Sequence, residues 1–313
     1  MPTLPDRIRV VEVGPRDGLQ NEAAHVPTER KIRLVEALGE AGLPAIEMTA
    51  FVHPRWIPQM ADAAEVAAGV RRREGVAYSA LVPNLKGYAA AAAADVPVVA
   101  VFMSATETHS RRNLNKGISE AIEALREVTE AAQADGRRVR AYLSVVFGCP
   151  YEGDVSPGAT LAIARQLDAM GIGELSLGDT TGMANPSQVR RLVAALREAV
   201  PGMDLAGHFH DTRGTALANT YAAMLEGLDI FDASVGGLGG CPYAPGASGN
   251  LSTNDLVAMM EGMGVATGVD REQLLDVTRW ICLDVLGVPI PSREATAELA
   301  RRAKAARVSA ERA

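Results

Sequence analysis

Eight short runs rich in branched apolar residues alternate along the chain with longer alanine- and leucine-rich stretches, whose apolar residues recur at helical spacing. This alternation predicts strands joined by helices. Such units form either an open doubly wound sheet or a closed barrel, and eight regular units favour closure. We therefore predict an α/β protein with a (β/α)8 TIM-barrel fold and extra C-terminal helices.

Turn and cap residues set the predicted boundaries. Asn185 and Pro186 are typical of an N-cap followed by proline in the first helical turn, and Gly136, Gly171 and Gly227 stand where a glycine would end a helix. Strands are predicted at residues 8–13, 45–51, 77–82, 96–103, 139–146, 174–177, 205–210 and 230–235. Helices are predicted at residues 28–41, 61–73, 85–94, 119–134, 159–170, 186–199, 215–226 and 253–263.

Length and composition narrow the function. The chain has 313 residues against roughly 250 in a typical barrel, so we predict one catalytic domain over 1–313, with 271–313 as a helical extension. A net charge of −7 gives no global support for nucleic-acid binding, and no apolar stretch approaches the roughly 20 residues of a membrane span. Three widely spaced cysteines without a CxxC pair fit a reducing cytoplasm.

The strongest local signal is an H-x-H pattern at the end of the seventh predicted strand. Side chains two residues apart in a strand point to one face, so His208 and His210 can converge on one metal ion while Phe209 points away. Two core or surface histidines placed by chance are the alternative interpretation. Barrel enzymes place their chemistry at this end of the strands, which favours the metal.

Oxygen ligands can reach the same end of the barrel. Asp17 ends the first predicted strand, and Asn250 follows the eighth, although each is also typical of a turn. A mixed set of oxygen and nitrogen ligands with open positions suits Mg²⁺ or Mn²⁺ holding a chelating substrate, with zinc or cobalt as alternatives.

Charged neighbours and one cysteine complete the candidate site. Arg16 would supply a fixed cation where negative charge develops, or form a salt bridge to Glu47 or Asp179, two carboxyls at similar depth in strands two and six. Cys241 lies in a glycine-rich loop after strand eight. It is either a thiol that reaches the substrate when this loop closes or a passive loop residue.

These residues stand in segments that closely resemble the 3-hydroxy-3-methylglutaryl-CoA lyases, metal-dependent barrel enzymes related to condensing enzymes. The segments include EVGPRDGLQNE, GCPYEG, LGDTTG, GHFHDTRG and GGLGGCPYAPGASGN, and the resemblance covers nearly the whole chain. It implies retro-Claisen cleavage of an acyl-CoA substrate to acetyl-CoA and acetoacetate, within leucine degradation and ketone-body formation. We further expect a homodimer and no nucleic-acid or membrane partner.

The resemblance also implies individual roles. It assigns the metal to Asp17, His208, His210 and Asn250, makes Arg16 the catalytic cation and Cys241 the thiol for proton transfer, adds Glu47 and Asp179 as supporting acids, and places Gln20, Tyr142 and Ser176 along the substrate site. The general base stays open among Asp17, His208 and Cys241.

Two positions depart from the pattern of the mitochondrial type. Ala50 follows Thr49 where those relatives have serine, and His53 replaces a small polar residue, so a lyase for a longer branched 3-hydroxyglutaryl-CoA is an alternative. A condensing synthase of the isopropylmalate or homocitrate type and a non-catalytic acyl-CoA-binding barrel are the other rivals. The cysteine-containing loop disfavours the synthase, and the full set of site residues disfavours the binding protein.

Overall fold

The computed structural model describes residues 4–240 and 249–311, and its eight parallel strands close into a barrel. The strands are β1 (Arg9–Glu12), β2 (Ala45–Ala50), β3 (Ala77–Leu81), β4 (Val98–Ser104), β5 (Arg138–Ser144), β6 (Glu174–Asp179), β7 (Asp204–Phe209) and β8 (Ile230–Ala233). The predicted closed barrel is confirmed, because β1 pairs with both β2 and β8.

The α-helices are α1 (Thr28–Glu40), α2 (Ala63–Gly69), α3 (Leu85–Ala93), α4 (Glu107–Leu114), α5 (Ile118–Ala134), α6 (Pro157–Ala169), α7 (Pro186–Ala199), α8 (Ala216–Leu225), α9 (Thr253–Gly262), α10 (Arg271–Arg279) and α11 (Arg293–Glu311). Two differences from the prediction stand out. Helix α4 was not predicted, and α2 ends at Gly69 because Val70 is already extended.

The predicted caps account for several helix ends. The Asn185 side chain accepts a hydrogen bond from the Gln188 backbone N–H, and Pro186 occupies the first turn of α7, where its missing N–H costs nothing. Gly136, Gly171 and Gly227 adopt φ of 70°, 76° and 83° directly after helices. This left-handed conformation favours glycine, so the three helix stops are confirmed.

The barrel interior combines a small apolar cluster with buried charged side chains. Val11, Ala45, Ala206 and Ile230 pack together inside the cylinder. Around them the interior carries charged and hydroxyl side chains, which is unusual for a buried region and requires each charge to have a partner. The C-terminal ends of the strands thus present polar groups on a rigid support.

The C-terminal segment is helical, as predicted. Helix α10 continues into a π-helical turn at Trp280–Leu286, where Ile281, Cys282 and Leu286 are buried, and α11 follows. That residues 1–313 make one catalytic domain stays a prediction. Among residues 4–240 and 249–311, none of the helices combines the length and apolar character needed to span a bilayer.

Candidate metal centre

The turn after β1 carries two site residues. Three successive backbone N–H groups, those of Arg16, Asp17 and Gly18, point at the carbonyl of Val13 and wind residues Gly14–Gly18 into a π-helical turn. Asp17 therefore lies in this turn and not at the end of a strand, where the sequence placed it. Gly14 is required here, because an added Cβ would lie 2.6 Å from the Glu12 carboxylate.

The two histidines converge as the strand spacing predicts. His208 lies in β7 and His210 directly after it, with their Nε2 atoms 3.3 Å apart. The Nε2 of His208 is 3.9 Å from Asp17 Oδ2, and one ligand atom from each of the three residues lies within 4.8 Å of the others. Phe209 points away and packs against Phe147, with ring centroids 6.0 Å apart.

The spacing and charge of these groups fit a divalent cation. Two ligand atoms held about 2.1 Å from one ion at a right angle lie about 3 Å apart, close to the separation of the two imidazole nitrogens. Burial alone raises the pKa of Asp17, but Arg16 and the two histidines hold that pKa at about 2. Burial, together with His208, lowers the pKa of His210 to about 4. An ionised carboxylate and a neutral imidazole are the forms that bind metal.

Asn250 lies beside this group but presents its amide nitrogen. Its Nδ2 donates to Asp17 Oδ2 at 2.7 Å, so a ligand role requires the amide to turn its oxygen inward. Gly239 allows this close packing. It adopts φ 110°, and a Cβ there would meet Asn250 Nδ2 at 2.7 Å. Cys241, the predicted loop thiol, falls outside the described residues.

Arg16 forms the salt bridge to Glu47 that the sequence suggested. Its Nε donates to Glu47, and its Nη1 lies 2.5 Å from Asp17 Oδ1. Its guanidinium also lies over the Tyr142 ring, 5.4 Å from the centroid. Although burial lowers the pKa of Arg16, Asp17 and Glu47 raise it above its usual value, so the side chain is a permanent cation beside the histidines.

Asp179, the second carboxyl predicted near Arg16, is engaged elsewhere. Its Oδ1 accepts the backbone N–H groups of Met183 and Ala184, while its buried Oδ2 has no hydrogen-bond partner in the described part of the chain. Burial raises the pKa of Asp179 to about 6 against the effect of those N–H donors. Such a carboxyl can take up and release a proton near neutral pH.

The remaining predicted residues surround this centre at different depths. Gln20 donates its amide to Asp17 Oδ1 at 2.7 Å. Tyr142 donates its hydroxyl to Glu47 Oε2 at 2.5 Å, and its ring meets that of His208 edge-on. Ser176 donates to Asp232 Oδ2 at 2.7 Å and so reaches the centre through a buried carboxylate.

Three further residues of this region belong to no predicted motif. Asp232 Oδ2 in β8 lies 3.1 Å from His208 Nδ1, and Arg140 in β5 donates to Asp232 and to Tyr142. His109 of α4 is buried at the edge of the site, with Nδ1 2.7 Å from Ser104 Oγ. A lone charge inside an apolar strand was the available signal for Arg140 and Asp232, because buried charges require partners.

A cleft of about 280 Å³ opens over this centre. Its walls include Arg16, Asp17, Gln20, Tyr142, His208 and His210, and also His109 and Asn113. A second pocket of about 500 Å³ shares Val52, Ile57 and Phe102 with the cleft, and its walls combine apolar side chains with polar ones that include Arg112 and Lys116. A small polar reacting group can therefore bind next to the three candidate ligands while the rest of a larger molecule extends into the second pocket.

Comparison with known proteins agrees with this architecture. The HMGL-like family model matches residues 7–281. A Pseudomonas aeruginosa 3-hydroxy-3-isohexenylglutaryl-CoA/hydroxy-methylglutaryl-CoA lyase is 52% identical over 95% of this chain and 99% of its own length. A Bacillus subtilis hydroxymethylglutaryl-CoA lyase is 50% identical over 92% of this chain and 96% of its own. The crystal structure of a Bacillus subtilis HMG-CoA lyase superposes with a TM-score of 0.93 at 50% identity, covering 95% of this chain and 99% of that one.

Proposed function

The chain belongs to the HMGL-like family, and we propose that it is a carbon–carbon lyase that cleaves 3-hydroxy-3-methylglutaryl-CoA into acetyl-CoA and acetoacetate. The observation that carries this proposal is the convergence of Asp17, His208 and His210 beside Arg16 in one cleft. The site thus places three candidate metal ligands next to the fixed positive charge of Arg16. A bound metal ion promotes loss of the substrate's hydroxyl proton, and the arginine stabilises the enolate that forms.

Asp17, His208 and His210 would hold the divalent cation, joined by Asn250 once its amide oxygen faces inward. We favour Mg²⁺ or Mn²⁺, because a set containing a carboxylate and an amide oxygen with open positions suits hard cations, whereas zinc or cobalt would favour nitrogen and sulfur. When bound, the cation supplies a Lewis acid that lowers the pKa of the substrate's tertiary hydroxyl.

The reaction then breaks one carbon–carbon bond. Loss of the hydroxyl proton turns C3 into the ketone of acetoacetate, and the electron pair of the C2–C3 bond passes to the thioester fragment as an enolate. Arg16 would stabilise the enolate oxygen, since Glu47 and Asp17 fix the direction of its guanidinium before the substrate arrives. A proton delivered to C2 completes acetyl-CoA.

Proton transfer needs a base for the hydroxyl and an acid for C2. Asp17, His208 and Cys241 are the candidates for the base, and a pKa of about 2 makes the Asp17 carboxylate a weak one. We propose Cys241 as the acid, acting directly or through water. Asp179, with a pKa of about 6 and a buried oxygen that has no hydrogen-bond partner among the described residues, would store or relay the proton, and Glu47 would support Arg16.

A longer substrate tail is the second candidate, and the apolar side chains in the pocket beside the cleft, such as Val82, Val101 and Leu125, favour it. This pocket is about 500 Å³ in volume, is bordered by His53, and shares Phe102 and Ile57 with the cleft. The Pseudomonas aeruginosa relative carries isohexenylglutaryl-CoA in its name. A 3-hydroxyglutaryl-CoA with a branched apolar group on C3 would bury that group in the pocket.

We also propose that the enzyme works as a cytoplasmic homodimer in leucine breakdown.

The test is acetoacetate formation by the purified, chelator-treated protein after Mg²⁺ or Mn²⁺ is added back. We expect turnover of 3-hydroxy-3-methylglutaryl-CoA and no turnover without metal. Parallel reactions on the isohexenyl-substituted substrate, which releases a longer 3-oxo acid, are followed by the acetyl-CoA that both substrates yield, and the ratio of kcat/KM measures tail preference. Tight acyl-CoA binding without cleavage would indicate a binding protein. Condensation of acetyl-CoA with a 2-oxo acid, with no cleavage, would indicate a synthase.

A further inference from the structure

We propose that Asp232 is the positioning residue that fixes His208 as a metal ligand, an inference that rests on the proposed metal site. Asp232 lies directly opposite His208 in the paired strands β7 and β8, and its side chain is fully buried. The His208 Nδ1 is 3.1 Å from Asp232 Oδ2. Because this contact engages one ring nitrogen, it determines what the other can do.

The Asp232 carboxylate cannot turn away from the histidine. Its Oδ2 also accepts the Ser176 hydroxyl at 2.7 Å, and its Oδ1 accepts a hydrogen bond from Arg140. Donors on both oxygens hold the plane of the carboxylate, and the arginine keeps it ionised. A residue with this many fixed donors can act as a rigid acceptor for His208.

An ionised carboxylate only accepts hydrogen bonds, so the His208 proton belongs on Nδ1. The Nε2 lone pair then faces His210 Nε2 and Asp17 Oδ2, where the cation would bind. His210 offers a contrast, since its Nδ1 is buried without a hydrogen-bond partner among residues 4–240 and 249–311. Of the two histidines, His208 is thus the one that a buried carboxylate, that of Asp232, orients.

Arg140 also helps to hold Arg16, the proposed catalytic cation. Besides Asp232, it donates to Glu174 and, at 2.6 Å, to the hydroxyl of Tyr142. Tyr142 in turn donates to Glu47, the carboxylate that holds Arg16. One buried network therefore fixes both the histidine and the arginine.

The simpler explanation is that Asp232 only neutralises the buried charge of Arg140. Glu174 provides a control, because it is a second carboxylate bound to Arg140, and within the described part of the chain its side-chain hydrogen bonds run to Arg140 and Arg9 and not to His208. Asp232→Asn and Glu174→Gln each remove one negative charge beside the same guanidinium. In Asp232→Asn, however, the new amide can donate to His208 Nδ1 and move the histidine proton to Nε2.

Mn²⁺ binding, measured from the signal of free Mn²⁺ in electron paramagnetic resonance, separates the two explanations. We expect Asp232→Asn to weaken Mn²⁺ binding roughly 10- to 100-fold, with Glu174→Gln close to wild type. Equal loss in both variants, or no loss in Asp232→Asn, would overturn the proposal.

A second readout uses the wild-type protein without metal. Nitrogen-15 NMR of the histidine side chains should find the His208 proton on Nδ1, with His208→Gln identifying the signal. A proton on Nε2 would overturn the positioning role even if Asp232→Asn fails to fold. If wild-type protein binds no Mn²⁺ at this centre, the proposed metal site fails, whereas the tautomer still decides whether Asp232 orients His208.

Discussion

Glu12 joins the turn that carries Arg16 and Asp17 to the segment that follows the neighbouring strand β8. Its Oε1 accepts the backbone N–H groups of Gly14 and Val235, each at 2.8 Å, and its Oε2 accepts the Thr253 hydroxyl at 2.6 Å. The side chain is completely buried. This burial outweighs the three donors and raises the pKa of Glu12 from its ordinary 4.5 to about 7.

The raised pKa makes stability depend on pH in a defined direction. Between pH 4.5 and about 7 the folded protein keeps a proton on Glu12 that the unfolded chain releases. The stabilisation from this proton is complete below 4.5 and is lost as pH rises through about 7. At about 1.4 kcal/mol per pH unit, the whole interval corresponds to about 3 kcal/mol.

Glu12→Gln should remove this dependence, because glutamine keeps the acceptor oxygen for the two N–H groups and does not titrate. We expect the free energy of unfolding of Glu12→Gln, relative to wild type, to rise by up to about 3 kcal/mol between about pH 5 and about pH 8. The measurement is urea unfolding followed by circular dichroism at several pH values.

Asp270→Asn is a suitable control for the Glu12 experiment. Asp270 caps α10 through the N–H groups of Glu272 and Gln273, and these bonds lower its pKa from 3.8. The ionised Asp270 stops stabilising the fold only below pH 3.8. The free energy of unfolding of Asp270→Asn should therefore differ from that of wild type by a constant amount between about pH 5 and about pH 8. If the free energy of unfolding of Glu12→Gln relative to wild type stays constant, or falls, as pH rises, the raised pKa of Glu12 is refuted.

Three further outcomes are expected at the site. Arg16→Gln should lower kcat by on the order of 10²-fold or more while Mn²⁺ content stays at the wild-type level; near-normal turnover would exclude the role of Arg16 as catalytic cation. Cys241→Ala should lower kcat more than it weakens substrate binding, and equal losses would count against proton transfer by the thiol. Asp179→Asn should remove from the pH profile of kcat/KM any limb near its pKa of about 6, and an unchanged limb would assign that titration to another group.

The fold was predictable because its signal is local and repeated. Each strand and helix carries its own periodicity, and the count of eight determines closure. Helix α4 could not be predicted because its sequence, ETHSRRNL, has few apolar residues to mark a buried face. The end of α2 at Gly69 could not be predicted because the arginines after Val70 are good helix formers.

The centre of the site was partly predictable for a similar reason. His208 and His210 could be found because two residues of one strand share a face. Asp232 and Arg140 could not be paired, since 92 positions separate them along the sequence and only closure of the barrel brings them together. The orientation of the Asn250 amide is likewise a product of packing and leaves no trace in a motif.

The central claim is that Asp17, His208 and His210 jointly bind one divalent cation beside Arg16. Crystals grown with Mn²⁺, with anomalous diffraction recorded on both sides of the manganese absorption edge, test it most directly. We predict one strong manganese peak within about 2.3 Å of an Asp17 carboxylate oxygen and of both imidazole Nε2 atoms. A fully active enzyme whose manganese lies elsewhere, with these three side chains free of metal, would contradict the account.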